Sequence, residues 1–358
     1  MEKKIIILIC FALTSITLRA QLDGQTALFP WASPYYNPGA VGMQNNTLCF
    51  TFMFLNQNSG FKPSENLSSQ TGTDQTTGTE QQFQGIRDFL VNAEFYSRKI
   101  RGAIGLSVLS DDIGPMKNIG VRLGYTYRMK LGSGDFGVGF QANLVSQTFK
   151  SNEWLPGVEG DPIVDGLRVS PPSYLNMDFS LGLHYKAENW DVGASVVNLL
   201  GEKNPLKSEG VSLVLSGGPG LYLARHLYVH GGYIWTLPNP SWTIEPKAII
   251  KTDFSTFQTD IMILTRYNGI IWTGLDYRIQ DAVSVLIGAR PFFNSSNNYL
   301  KGLDVGFAYG IDTKKFGYKS GGGSFGHFEV VLKYCFDIYK AETFFGYGSS
   351  RAIYRNQY

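Results

Sequence analysis

Alternation of apolar and polar residues along residues 118–145 predicts two long β-strands. In the first half the alternate positions are apolar: Ile119, Val121, Leu123, Tyr125, Tyr127 and Met129. The alternate positions from 120 to 130 carry glycine, threonine and the cations Arg122, Arg128 and Lys130. After a glycine-rich turn at 131–135 the alternation resumes. Because successive strand side chains point to opposite faces, this hairpin has one apolar and one polar face, as a membrane-spanning β-barrel requires.

Twelve further segments have a strand-like pattern, which makes fourteen predicted strands. They are 46–55, 87–98, 101–109, 174–186, 190–198, 226–235, 242–251, 257–266, 270–279, 282–290, 301–311 and 326–337. A fifteenth segment, 211–223, is interrupted by three glycines and a proline, and we exclude it because closed bacterial barrels have an even strand number. We therefore predict an all-β fold, a transmembrane antiparallel β-barrel of about 14 strands over residues 46–337. Short connections on one side and longer ones on the other complete the pattern, and residues 110–117 are predicted to be one of the longer loops.

The two ends of the chain do not look like strands. Residues 1–20 are typical of a signal peptide, with Lys3 and Lys4 before a short oily run and Ala20 at a plausible cleavage point. Residues 21–45 contain three prolines and are predicted to be an irregular segment, packed on the periplasmic mouth or inside the lumen. Residues 338–358 are predicted to be a periplasmic tail.

Composition and charge narrow the class of protein. The formal net charge of the 358 residues is +2, so no strong field favours a nucleic-acid partner. No segment approaches the ~20 apolar residues of a membrane helix, so a membrane-spanning chain must be a barrel with lipids around it. The 20 tyrosines and 24 phenylalanines suit aromatic girdles at the membrane interfaces.

Candidate chemistry is sparse. Residues 132–137 match G-x-G-x-x-G, but a strand rather than a helix follows, so a hairpin turn is favoured over cofactor binding. No two of His184, His226, His230 and His327 have metal-ligand spacing on a helix, and isolated lumen histidines are favoured over a metal site. No nucleophile elbow is present, so we predict no catalytic residues and no cofactor. A barrel hydrolase with a Ser/His pair stays an alternative that no residue singles out.

Charged residues on the polar face have two interpretations. One is a ladder of ion pairs that fills the bore, and the other is a selectivity lining for an open pore. The predicted lumen charges are Arg122, Arg128, Lys130, Asp178, Lys186, Glu245, Lys247, Lys251, Asp276, Arg278, Asp304, Glu329 and Lys333.

Two cysteines remain after removal of the signal peptide. Cys49 and Cys335 lie in the first and last predicted strands, which must pair to close the barrel. Both fall on the inward face near the periplasmic ends. The simpler interpretation is two buried, inert thiols. Our hypothesis is that they touch across the seam and can be bonded, which requires Cα atoms within ~7 Å.

An ordered set of short motifs resembles the PorP/SprF family. The first is Asn37-Pro38-Gly39-Ala40-Val41-Gly42, which resembles the family's Asn-Pro-Ala-x-x-Gly segment. Others follow in the family's order over most of the mature chain: Asp112-Ile113-Gly114-Pro115 with Tyr125-Thr126-Tyr127-Arg128, then Val192 to Leu200, Arg225 to Tyr233, Asp276 to Val283, and His327-Phe328-Glu329.

The resemblance implies a non-enzymatic outer-membrane protein of the type IX secretion system, as found in Bacteroidetes. Its partners would be periplasmic ring proteins of the secretion machine or a secreted surface adhesin, which it docks or retains. We expect partner contacts at the two ends of the chain, from Trp31, Tyr35, Tyr36, Asn37, Pro38, Phe344, Phe345 and Tyr347. The alternative function is a channel for small or hydrophobic solutes.

Overall fold

The computed structural model describes residues 24–44, 48–57, 86–113, 116–149, 173–201, 203–204, 221–222, 224–293, 301–313 and 325–336. Its main strands are β1 (Leu48–Gln57), β2 (Ile86–Ser97), β3 (Gly102–Ile113), β4 (Met116–Leu131), β5 (Gly134–Phe149), β6 (Ser173–Lys186), β7 (Trp190–Val197), β10 (His226–Tyr233), β12 (Trp242–Thr252), β13 (Phe257–Tyr267), β14 (Ile271–Arg278), β15 (Ala282–Ala289), β16 (Leu303–Asp312) and β17 (His327–Phe336). Three two-residue strands are β8 (Lys203–Asn204), β9 (Leu221–Tyr222) and β11 (Trp235–Thr236).

The fourteen main strands form a closed antiparallel ring. Each pairs with its neighbour in sequence, β7 pairs with β10, β10 with β12, and β1 with β17 closes the ring. The predicted fold class and strand number are therefore confirmed. The extra strand β11 pairs only with β12, and β8 with β9 forms a separate sheet. Of the excluded segment 211–223, the part that the structure describes thus lies outside the ring.

One predicted loop is wrong. Residues 110–117 were expected to be a loop, but β3 continues to Ile113 and β4 begins at Met116. Asp111 and Asp112 pair in register with Asn118 and Lys117, so polar side chains extend the hairpin past its apolar part. Alternation of apolar residues underestimates the strand here, because backbone pairing continues where the side chains are polar on both faces.

The barrel has its apolar side chains outside and its polar side chains inside. On β4, Leu123 is 58% exposed whereas the neighbouring Arg122 is 3% exposed. The same contrast separates Leu175 from Asn176 on β6 and Tyr277 from Asp276 on β14. In the isolated chain the apolar rows are the outer surface, which is the face that lipid covers in a membrane.

The two ends of the barrel are named here by their connections. The turn end is where β1 begins, and the loop end is where β1 finishes. Within the described residues, short turns at 98–101, 132–133 and 187–189 lie at the turn end. The described part of the chain includes no helix long and apolar enough to cross a membrane. The predicted signal peptide and the predicted tail 338–358 lie outside the described residues.

Replacing Leu123 by Arg is expected to destabilise the barrel by about 2–4 kcal/mol, because the side chain faces lipid near the middle of β4. Replacing Leu131 by Arg on the same face, at the turn end of the same strand, is expected to cost about 0–1 kcal/mol. Denaturant unfolding of both variants in phospholipid bilayers measures the difference. Equal costs would contradict the outward placement of this row.

Candidate functional site

Residues 24–44, called the plug from here on, run through the lumen from one end to the other. At the loop end, the side-chain amide of Gln57 donates to the Gln25 carbonyl at 2.9 Å. At the turn end, Arg128 donates to the Gly42 carbonyl at 3.1 Å. Of the two positions predicted for this segment, the structure has the lumen rather than the periplasmic mouth. The first described residue, Gly24, consequently lies at the end opposite to the start of β1.

The local sequence of the plug favours two short helical turns over a strand. The turn α1 (Ser33–Tyr36) has a proline in its first turn, where the missing N–H is not needed. A 3₁₀ turn (Pro38–Ala40) follows, and the Asn37 side chain accepts a hydrogen bond from the Gly39 amide at 2.8 Å. Gly42 has φ +66°, a left-handed conformation that directs the chain out of the lumen.

Charged side chains of the barrel wall bind the backbone of the plug. The Glu329 carboxylate accepts from the Ala27 amide at 2.7 Å and the Leu28 amide at 3.1 Å, and from the Thr26 hydroxyl at 2.5 Å. Hydrogen bonds to an ionised group contribute about 1.5–3 kcal/mol each. The predicted lumen charge Glu329 therefore has a defined role, which is to hold the loop-end part of the plug.

Arg122 holds the middle of the plug. Its guanidinium donates to the Tyr35 carbonyl at 2.8 Å and to the Tyr35 hydroxyl at 2.7 Å, and lies 3.6 Å from the centre of the Tyr35 ring. Three further wall side chains bind plug backbone: Ser195 donates to the Tyr36 carbonyl at 2.6 Å, Thr126 donates to the Pro38 carbonyl, and Glu94 accepts from the Gly42 amide at 2.7 Å. Buried backbone groups need such partners, so the polar face of the wall is matched to the plug.

Wall glycines let the plug backbone approach closely. A methyl group at Gly139 would lie 2.5 Å from the Gly39 nitrogen and closer still to the Pro38 carbonyl. A methyl group at Gly182 would lie 2.8 Å from the same nitrogen. The sequence analysis did not identify this close contact between the wall glycines and the plug. The available signal was glycine at inward positions of two neighbouring strands, β5 and β6.

Apolar residues also lie inside the lumen, contrary to the predicted polar bore. Towards the loop end, plug residues pack on inward-facing apolar residues of the wall, and we call this group the apolar seal: Ala27, Leu28, Met53, Leu90 and Ile249. Leu28 and Ile249 are both 0% exposed. The physical reason for the difference is the plug, because its own apolar side chains need apolar partners in the wall. Beside the apolar seal, this half of the lumen keeps a cavity of only about 50 Å³.

Trp31 of the plug stacks on Trp272 of β14 with ring centroids 4.7 Å apart. Both indole N–H groups are directed at Asp304, at 3.4 Å for Trp31 and 2.8 Å for Trp272. A single carboxylate thus accepts from both buried donors. Asp304 is a predicted lumen charge, and it also lies 3.9 Å from Nε of Arg290.

The turn-end half of the lumen contains a cavity of about 1160 Å³, which we call the vestibule. Plug residues including Trp31 and Tyr36 line it on one side. Its charged lining residues are six cations, Lys186, Lys247, Arg266, Arg290, Lys301 and Lys333, and five anions, Glu94, Glu188, Asp191, Glu245 and Asp304. The lumen therefore has a loop-end half, where the plug and the apolar seal leave a cavity of only about 50 Å³, and a turn-end half that contains the larger vestibule.

Ion pairs join many of the lumen charges. Glu245 pairs with Arg266 at 2.6 Å and with Lys247 at 3.5 Å. Asp260 pairs with Arg278 at 3.2 Å and Lys251 at 3.7 Å. These contacts favour the interpretation as an ion-pair ladder over a selectivity lining.

Two predicted lumen charges have other positions or roles. Lys130 is mostly exposed, with a side chain 77% accessible, at the turn end of β4, where it pairs with Asp135 at 3.0 Å. Asp178 is buried in the wall and accepts from the amides of Leu200 and Gly201 at 2.9 and 3.0 Å. It therefore anchors the connection that follows β7 rather than lining an open bore.

Cys49 and Cys335 are direct register partners across the β1–β17 seam and form a disulfide. Their Cα atoms are 4.1 Å apart, within the ~7 Å limit. Both side chains are buried, and Cys335 also lines the vestibule. The bond joins the two strands that close the barrel at the point where the plug leads into β1.

The predicted isolation of the lumen histidines is wrong for one pair. The rings of His184 and His230 stack with centroids 5.2 Å apart, because both strands flank β7 at Gly193, where no side chain separates them. The sequence could not reveal this contact, since it depends on the register of three strands. Within the motif at 132–137, residues 132–133 form the hairpin turn between β4 and β5, with Gly132 at φ +59°, and residues 134–137 begin β5.

A serine, a histidine and an aspartate lie in a row at the loop end. Ser284 Oγ is 3.0 Å from His327 Nε2, and His327 Nδ1 is 3.5 Å from Asp312. This order resembles a hydrolase triad, but Ser284 is 1% exposed and lies outside the vestibule lining. A nucleophile must be reachable by its substrate, so the row is better explained as buried hydrogen bonding.

Five of the residues expected to contact a partner belong to the plug. Trp31, Tyr35, Tyr36, Asn37 and Pro38 are all buried against the lumen wall. Trp31 and Tyr36 line the vestibule, whereas Tyr35, Asn37 and Pro38 do not. The other three predicted contact residues, Phe344, Phe345 and Tyr347, lie outside the described residues.

Comparison with known proteins identifies a family. The family model described as type IX secretion system membrane protein PorP/SprF matches residues 18–334. No curated protein matches the chain.

Several solved outer-membrane barrels are similar in structure. The CymD monoaromatic hydrocarbon channel is 12% identical, with 86% of this chain and 93% of that chain covered and a TM-score of 0.47. The P. putida toluene transporter TodX is 11% identical, with 84% and 92% covered and a TM-score of 0.45. The Acinetobacter baumannii outer membrane protein Omp33 is 6% identical, with 81% and 98% covered and a TM-score of 0.41.

Replacing Gly139 by Ala is expected to displace the plug, because the added methyl group would overlap the Pro38–Gly39 backbone. Such overpacking costs about 1–3 kcal/mol. Hydrogen exchange of residues 37–40, measured by mass spectrometry in detergent, should become faster. Gly120→Ala is the matched control, since its methyl group would meet only Val145 at 3.9 Å. Equal exchange in the two variants would contradict the close approach of plug and wall.

Proposed function

The chain belongs to the PorP/SprF family of type IX secretion system membrane proteins, and we propose that it is a plugged outer-membrane barrel that docks or retains other proteins. Its partners in this proposal are periplasmic ring proteins of the secretion machine or a secreted surface adhesin. The outer membrane in question is that of a Bacteroidetes cell. The barrel acts as a platform and not as an enzyme, in keeping with a family and fold that are typically non-enzymatic.

The observation that carries the proposal is the closed lumen. The plug runs from Gln25 at the loop end to Gly42 at the turn end, and wall side chains bind its backbone over this length. A channel for small or hydrophobic solutes needs a continuous path, and in the part of the chain that the structure describes the plug and the apolar seal reduce the space in the loop-end half to a cavity of about 50 Å³. Closure therefore supports the platform over the channel.

The vestibule is the proposed docking position. In bacterial barrels the short connections face the periplasm, so the turn end, and with it the vestibule, faces the periplasmic partners. Its mixed charges suit a polar protein segment more than an oily solute. Trp31 and Tyr36 border the vestibule, and Phe336, from which the tail with Phe344, Phe345 and Tyr347 continues, lies at its edge. These residues are the proposed contacts.

The wild-type protein is expected to be non-conducting in planar bilayers, because the plug and the apolar seal block the bore. A variant that lacks residues 24–42 is expected to give a steady open current if its barrel folds, which heat-dependent migration on gels can check. A wild-type current as large as that of the deletion variant would favour the channel and contradict the platform.

Reversing the charge of Arg290 and Lys301 at the vestibule is expected to reduce recovery of periplasmic partners about tenfold, since like charges at an interface cost several kcal/mol. The measurement is a detergent pull-down from native membranes with quantitative mass spectrometry. Lys130→Glu is the matched control, because Lys130 is an exposed turn-end cation outside the vestibule lining. Equal recovery from both proteins would remove the vestibule as the docking position.

A further inference from the structure

Three side chains on neighbouring strands converge at the wall of the vestibule. His184 is on β6, Asp191 on β7 and His230 on β10, and all three line the vestibule. One ligand atom from each residue lies within 4.8 Å of the other two. Imidazole nitrogen and carboxylate oxygen are the donors that zinc and copper(II) accept in proteins.

Gly193 makes room between the two imidazoles. Gly193 is the register partner of His184 on one side and of His230 on the other. A Cβ atom built on Gly193 would lie 2.7 Å from Nδ1 of His184 and closer still to Nε2 of His230. These two nitrogens therefore face the same point, which the Asn37 side-chain nitrogen also approaches, at 2.5 Å from that Cβ position. An ion with Zn–N bonds of about 2.0–2.1 Å would take the place of the Asn37 amide there.

A second observation points to a ligand. His184 is 6% exposed, and its Nδ1 has no hydrogen-bond partner in the part of the chain that the structure describes. A buried polar atom without a partner costs about 1–3 kcal/mol, so such atoms are rare in native proteins unless a function requires them. Nδ1 is also the nitrogen directed at the space above Gly193.

We propose that His184, Asp191 and His230 bind one divalent transition-metal ion, with zinc as the probe, at the wall of the vestibule. Neutral imidazoles supply two nitrogen donors and Asp191 supplies one oxygen donor and a negative charge. Three protein ligands leave a fourth position open toward the vestibule, which a water molecule or a donor from an entering protein segment completes. Lys186 is the register partner of Asp191, and the charges of Lys247 and Lys186 both act on the Asp191 carboxylate.

The ion would be coupled to the plug through Asn37. The Asn37 side-chain nitrogen is 3.0 Å from Nε2 of His230 and donates to the Leu183 carbonyl at 3.0 Å. Binding of an ion to His230 replaces the first of these contacts and leaves the second. Replacing Asn37 by Asp puts a carboxylate oxygen where the nitrogen lies, so zinc affinity is expected to rise in N37D.

The test is zinc chloride titration of the full-length protein in detergent, purified with a tag free of histidine and stripped of metal with a chelator. Isothermal titration calorimetry is expected to show about one zinc ion per chain. His184→Gln, His230→Gln and Asp191→Asn are each expected to weaken binding at least about tenfold. His226→Gln and His327→Gln are the matched controls, because both are buried lumen histidines outside the cluster, and they are expected to bind like the wild type.

A steric variant separates the cluster from adventitious binding. Gly193→Ala keeps all three ligands but places a methyl group between the imidazoles, so it is expected to abolish stoichiometric binding. Heat-dependent migration and thermal unfolding identify variants that still form the barrel, and only those are compared. The proposal is overturned if the wild type binds no zinc, or if the folded His184→Gln/His230→Gln double variant binds it as the wild type does. Docking at the vestibule can fail or succeed independently of either result.

Discussion

The structure depends on one constraint, which is that backbone hydrogen-bonding groups removed from water must find partners. In the barrel wall, ring closure meets this constraint, because the β1–β17 pairing leaves no open edge among the fourteen strands. In the lumen the plug is too rich in proline to form a strand. Its backbone groups therefore cannot find partners in the hydrogen bonds of a β-sheet. Side chains of the wall provide its partners instead, with Glu329 and Arg122 as the strongest.

The wall is held by regular strand pairing and the plug by individual side-chain contacts. This difference explains why the strands of the wall were predicted well from the sequence and the contents of the lumen poorly. Strand alternation has a period of two and depends only on which face meets lipid, so rows such as that of Leu123 are visible without any knowledge of contacts. The pairing of Cys49 with Cys335 followed from closure alone. A loop was wrongly predicted at 110–117, because backbone pairing continues there although the side chains no longer alternate between apolar and polar.

The contents of the lumen depend on contacts between distant segments. Nothing in the local sequence says that Glu329 binds the Ala27 amide, since 302 residues separate them. Trp272 is an apolar side chain on the otherwise polar inward face of its strand. The stacking of Trp31 on it explains this position. The stacking of His184 on His230 requires the register of β6, β7 and β10 at Gly193. The inward positions of Gly139 and Gly182 could be predicted from the sequence. Their role could not, because it depends on the plug backbone that packs against them.

The two halves of the lumen and the seam together determine how the plug could respond to a partner. In sequence the plug ends four residues before β1, whose second residue is Cys49 of the Cys49–Cys335 disulfide, so its turn-end part is close along the chain to the cross-linked seam. Its loop-end part is held by Glu329 and the apolar seal, which a partner in the vestibule does not touch. The middle of the plug, by contrast, borders the vestibule through Tyr36 and contacts His230 through Asn37. The part of the plug that borders the vestibule is thus next to residues held by several wall contacts, those of Arg122 with Tyr35 and of Leu183 and His230 with Asn37, so its displacement would have to break all of them.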